Sequence, residues 1–201
     1  MNHLLQKLKK QTSLFRSEYN AVPEQIFQVV FITLLVIDCI ENTSVIYSNA
    51  FCLFVMYLFR NLLYLVLLFK IAFLSTYKMT ELIGIGVVFL IGFASLLGSS
   101  DFGLLRFFII AFAAKNESPR KLMGIFIRIK GASIILTLLL WRIGLLSALY
   151  YQDDKVGYYN TYGFCHRNVL GANIALICLV WFYLRYRKLK LQDVLLWTGI
   201  G

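Results

Sequence analysis

Apolar residues in this chain come in long runs, and the lengths of those runs restrict the fold more than any other feature. A helix that crosses a bilayer needs about 20 predominantly apolar residues. Residues 26–47, 50–74 and 82–97 form three strong candidates, 102–114 is a shorter fourth, and 131–150 and 164–184 supply a fifth and a sixth. The chain is 60% apolar and 15% charged, where soluble domains are about half apolar and about a quarter charged. Lipid is therefore the expected solvent. The predicted fold is all-α: a single polytopic helical membrane domain, residues 1–201, with about six transmembrane helices and an incomplete seventh.

The remaining composition narrows the class by exclusion. A net charge of +10 would suggest nucleic acid in a soluble protein, but here the basic residues sit in short clusters between apolar runs. Such clusters act first as orientation signals, and no nucleic-acid module is visible. Cys39, Cys52, Cys165 and Cys178 have no close-pair spacing, and His3 and His166 are far apart, so no metal or redox motif is expected. Pro23 and Pro119 each sit just outside an apolar run and read as helix punctuation. The basic leader, residues 1–25, precedes a run too long for a signal peptide and without a small-residue cleavage site, so that run is expected to remain as a span.

Charge distribution sets the predicted orientation. With the N-terminus in the cytoplasm, fifteen of the twenty basic residues fall in inner segments: the leader, Lys70 and Lys78, residues 115–130, and residues 185–190. Only Lys155 and Arg167 are then outside, while Arg60, Arg106 and Arg142 lie within spans. This is the positive-inside pattern. Residues 115–130 are basic and amphipathic, either an interfacial helix on the inner surface or the start of a long fifth span. Residues 151–163 form a polar, tyrosine-rich outer loop. A last apolar run begins at Val194 and stops after about eight residues, too few to cross. It reads either as a re-entrant tail or, as we expect, as the front of a span in a longer protein.

Charges inside the spans are the best internal clue to function, because each costs about 2.5–3.5 kcal/mol to insert and so needs a partner or a wet cavity. Asp38 and Arg60 fall at matching depths and form a candidate structural ion pair. Glu41, three residues beyond Asp38, shares its helix face, so the same acidic edge is also a candidate for catalysis. Arg106, Arg142 and Arg167 each fall in or near the outer half of the membrane. Guanidinium groups match phosphate geometry and stay charged when partly desolvated, so together they suit an anionic lipid headgroup such as a diphosphate. Each taken alone reads equally as an arginine snorkelling to the interface.

The segment Tyr162-Gly163-Phe164-Cys165-His166-Arg167-Asn168-Val169-Leu170-Gly171 follows the outer loop and opens a span. It resembles the GF-x-H-P-N-x-L-G signature of Wzy-like polysaccharide polymerases, the bacterial enzymes that join O-antigen, capsular or exopolysaccharide repeat units. Gly163, Phe164, His166, Asn168 and Gly171 match; the usual proline is Arg167. The stretch Phe112-Ala113-Ala114-Lys115-Asn116, leading into Ser118-Pro119-Arg120-Lys121, is similar to the inner loop before the fifth span in Gram-positive members.

The resemblance covers roughly residues 100–190 and implies transfer of a glycan from an undecaprenyl diphosphate carrier onto the next lipid-linked unit, at the outer face of the inner (plasma) membrane. It implies no cofactor, nucleotide sugar or metal. Membrane lipids and the flippase and chain-length regulator of the same pathway are the implied partners. Such a transfer needs cations for the diphosphate, where Arg142, Arg167, Arg106 and Asn168 are candidates, and a base for the acceptor hydroxyl, where His166 and Asp154 are candidates. His166 reads equally as a helix-start residue bonded to its own turn. Family members run to about twice this length, so this chain alone is expected to be inactive. A transporter of lipid-linked saccharide and a non-enzymatic assembly protein are the rival readings; the first usually carries an internal repeat with broken helices, which this sequence lacks.

Overall fold

The computed structural model describes residues 2–75, 77–99, 102–147, 150–153 and 157–186. In chain order the elements are α1 (Asn2–Glu41), α2 (Ser44–Tyr47), α3 (Ala50–Phe69, with a π-helical last turn at Lys70–Leu74), α4 (Met79–Ser99), α5 (Gly103–Ala113), α6 (Pro119–Arg142), β1 (Tyr150–Asp153), β2 (Gly157–Asn160) and α7 (Arg167–Arg185). The protein is all-α and polytopic, apart from the short hairpin. Among the described residues five helical segments are long and apolar enough to cross a membrane: Val22–Glu41, Ala50–Leu74, Met79–Gly98, Pro119–Arg142 and Asn168–Arg185. α5 is apolar but, at about 1.5 Å per residue, spans only about half of the hydrocarbon layer. Large apolar side chains such as Phe51, Phe73, Leu90 and Leu97 stand mostly exposed, as lipid contact requires.

Several boundaries differ from the sequence reading, each for a local reason. α1 runs straight through Pro23, which therefore does not punctuate it; a proline removes one backbone hydrogen bond, and a 40-residue helix retains the rest. The first apolar run, expected to continue to Tyr47, breaks after Glu41. There the Asn42 amide donates to the Asp38 carbonyl at 2.7 Å and the Thr43 hydroxyl to the Ile40 carbonyl at 2.8 Å. Side chains that bond the preceding turn in this way compete with the helix ladder. Pro119 does stand at the first turn of α6. Of the two readings of residues 115–130, the long helix is the one found: α6 is continuous to Arg142. It stops there rather than near Tyr150, because Gly144 adopts φ +80° and the Leu145 amide donates back to Leu140, a left-handed glycine ending. Residues 150–160 of the expected outer loop hold an antiparallel pairing, with Tyr151 opposite Tyr159 and Gln152 opposite Tyr158.

The chain packs as two units, one made of residues 1–34 and 57–117, the other of residues 35–56 and 118–201. In the first, α4 and α5 form an antiparallel pair that closes over Gly92, where an added Cβ would stand 3.3 Å from Leu105 and 3.4 Å from Phe108. Small residues at such positions let membrane helices approach closely. The last carbonyls of α5, which no helical partner reaches, are met by side chains. The Tyr77 hydroxyl donates to Phe112 at 3.2 Å, and the buried Lys70 ammonium donates to Ala113 while lying 5.1 Å from the Phe27 ring. Beyond α5, Asn116 turns the chain at φ +72°, and the Gln28 amide donates to both oxygens of Glu117. In the second unit α6 packs along α7, and the break after α1 is joined to the turn that opens α7.

Candidate functional site

The turn before α7 is built from residues 160–166, of which Thr161, Gly163, Phe164 and Cys165 are buried. The Asn160 side chain accepts from the Tyr162 amide at 2.7 Å. The Phe164 amide then donates to the Thr161 carbonyl at 3.0 Å across two residues at positive φ, Tyr162 at 52° and Gly163 at 83°. Two consecutive positive φ values are the type I′ pattern, which favours glycine. Space demands it too, since a Cβ on Gly163 would lie 3.1 Å from the Trp141 Cβ and 3.3 Å from Leu146. Trp141 also meets Tyr162 edge-on, ring centroids 5.1 Å apart. The end of α6 is thereby fixed against the start of α7.

The same turn is bonded to the break after α1. The Ser44 amide donates to Gly163 and the Cys165 amide to Asn42, both at 2.9 Å, around a single antiparallel bridge between Thr43 and Phe164. Phe164 is 2% exposed and Thr161 wholly buried. The Cys165 thiol contacts the Asn42 side-chain oxygen at 3.6 Å. Burial pushes this thiol above the usual range, and the Asp38 charge acts in the same direction.

His166 is the N-cap of α7, its Nδ1 accepting from the Asn168 amide at 3.2 Å. With Nδ1 used as acceptor, the neutral ring carries its proton on Nε2. In this arrangement the imidazole presents a donor, and it serves as a base only by giving up the cap. Asn168 is exposed, with its backbone amide in that cap. Arg167 is the first residue of α7, and Arg142, exposed, is the last of α6. Arg142, His166, Arg167 and Asn168 are therefore brought to one end of the α6–α7 pair. Gly171 stands in open space, and nothing in the structure explains a glycine there. Asp154 lies outside the described residues.

Arg106 belongs to the first unit and has different surroundings. Its guanidinium lies over three rings, 5.5 Å from Tyr57, 5.7 Å from Tyr64 and 5.5 Å from Phe102, and reaches the Asn61 side-chain oxygen at 3.5 Å. Each such contact is worth about 0.5–2 kcal/mol. Together they are comparable with the insertion cost of about 2.5–3.5 kcal/mol, so the cage accommodates this charge without a bound anion. Arg60 lies over the other ring contact of Tyr57, at 5.4 Å.

Asp38 is engaged by a cation that the sequence reading had not assigned to it. Its Oδ2 accepts from the ammonium of Lys130, and its Oδ1 contacts the Asn42 amide at 3.4 Å. Lys130 is buried in the middle of α6, about 18 Å from Arg142 along the helix, inside the stretch Pro119–Arg142 that is long and apolar enough to cross a membrane. The Lys130 side chain is 6% exposed and that of Asp38 47%. Lys130 and Asn42 are the residues of this site that sequence reasoning missed. The available signal was the spacing of Lys130 and Thr137, polar residues seven apart on one face of an apolar helix, both buried.

Among the described residues no group of three His, Cys, Asp or Glu side chains could hold a metal ion, and none of the four cysteines forms a disulfide. No protein family, no curated protein and no solved structure matches this chain.

Proposed function

We propose that this chain forms part of a polymerase-type membrane glycosyltransferase of the Wzy-like kind, which acts on undecaprenyl-diphosphate-linked saccharides at the outer face of a bacterial inner membrane, with the N-terminus in the cytoplasm. The observation that carries the proposal is the gathering of Arg142, His166, Arg167 and Asn168 at one end of the α6–α7 pair. The excess of basic residues in the inner segments supports placing that end outside.

The chemistry asks for few groups. The acceptor hydroxyl oxygen attacks the anomeric carbon, the bond from that carbon to the diphosphate oxygen breaks, and the hydroxyl proton passes to a base. Negative charge gathers on the departing diphosphate, where Arg142 and Arg167 neutralise it. His166, with its proton on Nε2, donates to the diphosphate or to a sugar oxygen, and Asp154 takes the proton, a role worth about 10²–10⁴-fold when the base is positioned. The tyrosine-rich hairpin offers surface for the sugars. A flippase delivering the substrate and a regulator of chain length are the fitting partners.

A transporter of the same lipid-linked saccharide is the second reading, favoured by the helix break at Asn42 and the charged pair at membrane depth beside it. One experiment separates the two. In cells lacking the gene, loss of a polymerase leaves single lipid-linked units at the outer face, and loss of a transporter leaves them at the inner face. Restoring the gene restores long glycan on the polymerase reading, and the gene carrying Arg142→Ala, its product accumulating normally, restores at most about a tenth of it. Units retained inside, or full activity of Arg142→Ala, would overturn the proposal.

A further inference from the structure

A charged pair at the middle of a membrane helix and the turn that opens α7 are connected by one residue. The Asn42 side-chain amide donates to the Asp38 carboxylate and its backbone carbonyl accepts from the Cys165 amide, while its side-chain oxygen contacts the Cys165 thiol. Its amide also donates to the Asp38 carbonyl at 2.7 Å, so both the backbone and the carboxylate of Asp38 determine where Asn42 sits. The backbone on either side, at residues 42–43 and 161–166, is non-helical, with Thr161 and residues 163–165 buried and the rest partly exposed. Irregular backbone at membrane depth persists only where the protein satisfies it, and here Asn42 and Ser44 supply the bonds.

We infer that Asp38, held by Lys130, is a positioning residue that sets the signature turn and hence His166, acting through Asn42 and Cys165. The inference rests on the proposed function for its catalytic meaning, but the geometry and its test do not require activity. A carboxylate with one oxygen on the buried ammonium cannot swing away, which orients α1 about its axis and fixes the side from which Asn42 meets the turn. The sequence Lys130, Asp38, Asn42, Cys165 is continuous, each step being a contact within one packed unit. Glu41 stands one turn beyond Asp38 on the same helix face, Asn42 and Cys165 are the neutral polar contacts, and Arg142 follows Lys130 by about 18 Å of rise along α6.

Cys165 itself reports on the arrangement, because it is 9% exposed and bonded on both sides. The experiment uses the full chain in native membranes, with Cys39, Cys52 and Cys178 changed to Ala, and follows alkylation of Cys165 by N-ethylmaleimide. Asp38→Asn and Lys130→Met are each expected to speed alkylation about tenfold, and Asn42→Ala, which leaves the ion pair in place, is expected to do the same. A second set of chains keeps Cys39 as the single thiol. There the same variants should change the rate less than about twofold, since a pair that merely clamps helices would loosen Cys39 as well. Joint exchange, Asp38→Lys with Lys130→Asp, should restore slow labelling of Cys165. Unchanged labelling in all three variants, or equal acceleration of Cys39 and Cys165, would overturn the inference. Neither result bears on whether the chain makes long glycan, so the positioning role and the polymerase reading fail separately.

Discussion

Gly163 illustrates how one residue can be recognised in a sequence before its reason is visible. It belongs to a signature by resemblance, but what requires it is a left-handed φ of 83° together with a Cβ position 3.1 Å from Trp141. Gly163→Ala should lose about 2–3 kcal/mol of stability, combining left-handed strain with overpacking, read as a lower midpoint of thermal unfolding in detergent. Phe164 was equally recognisable and equally opaque, since its burial beneath the α1 break depends on a partner segment some 120 residues away in the chain, whereas the cap that His166 gives α7 is local and was one of the two readings of that residue. Lys130 was half legible for a related reason. It follows Arg120, Lys121 and Arg128 in sequence, and one of the two readings of residues 115–130 put it at the start of a long span, but no local signal pairs it with Asp38. Arg106 was legible as a membrane arginine, but two of its three aromatic neighbours, Tyr57 and Tyr64, come from α3, which no local pattern connects to α5.

Elements were more legible than contacts, because length and apolarity act locally. The cores of α3, α4, α6 and α7 follow from the runs; their ends follow from side chains, such as Asn42 and Thr43, that bond their own backbone. The hairpin β1–β2 escaped notice because a polar loop with several tyrosines carries no alternation strong enough to mark strands. α5, the shortest apolar helix, is held by its packing on α4 and by side chains at its last carbonyls. Its interface at Gly92 should therefore be intolerant of size. Gly92→Val is expected to destabilise the chain by about 1–3 kcal/mol, while Gly84→Ala, where an added Cβ meets nothing within 4 Å, should be neutral or raise stability by up to about 1 kcal/mol. Thermal unfolding of the two variants side by side checks the contrast.

For the whole molecule, the membrane class was readable from run length alone, and the structure carries it in five long apolar helices with largely apolar exteriors. What hydropathy could not supply is which charges meet. The central claim is that the end of the α6–α7 pair recognises a lipid diphosphate through Arg142 and the head of α7. The direct test is equilibrium binding, to the full chain in lipid nanodiscs, of an undecaprenyl diphosphate-linked saccharide and of undecaprenyl monophosphate. The account predicts that the diphosphate binds at least about tenfold more tightly, and that Arg142→Ala removes most of that preference, about 1.4 kcal/mol, without lowering the unfolding midpoint. Equal binding of the two lipids, or a preference that survives Arg142→Ala unchanged, would contradict it.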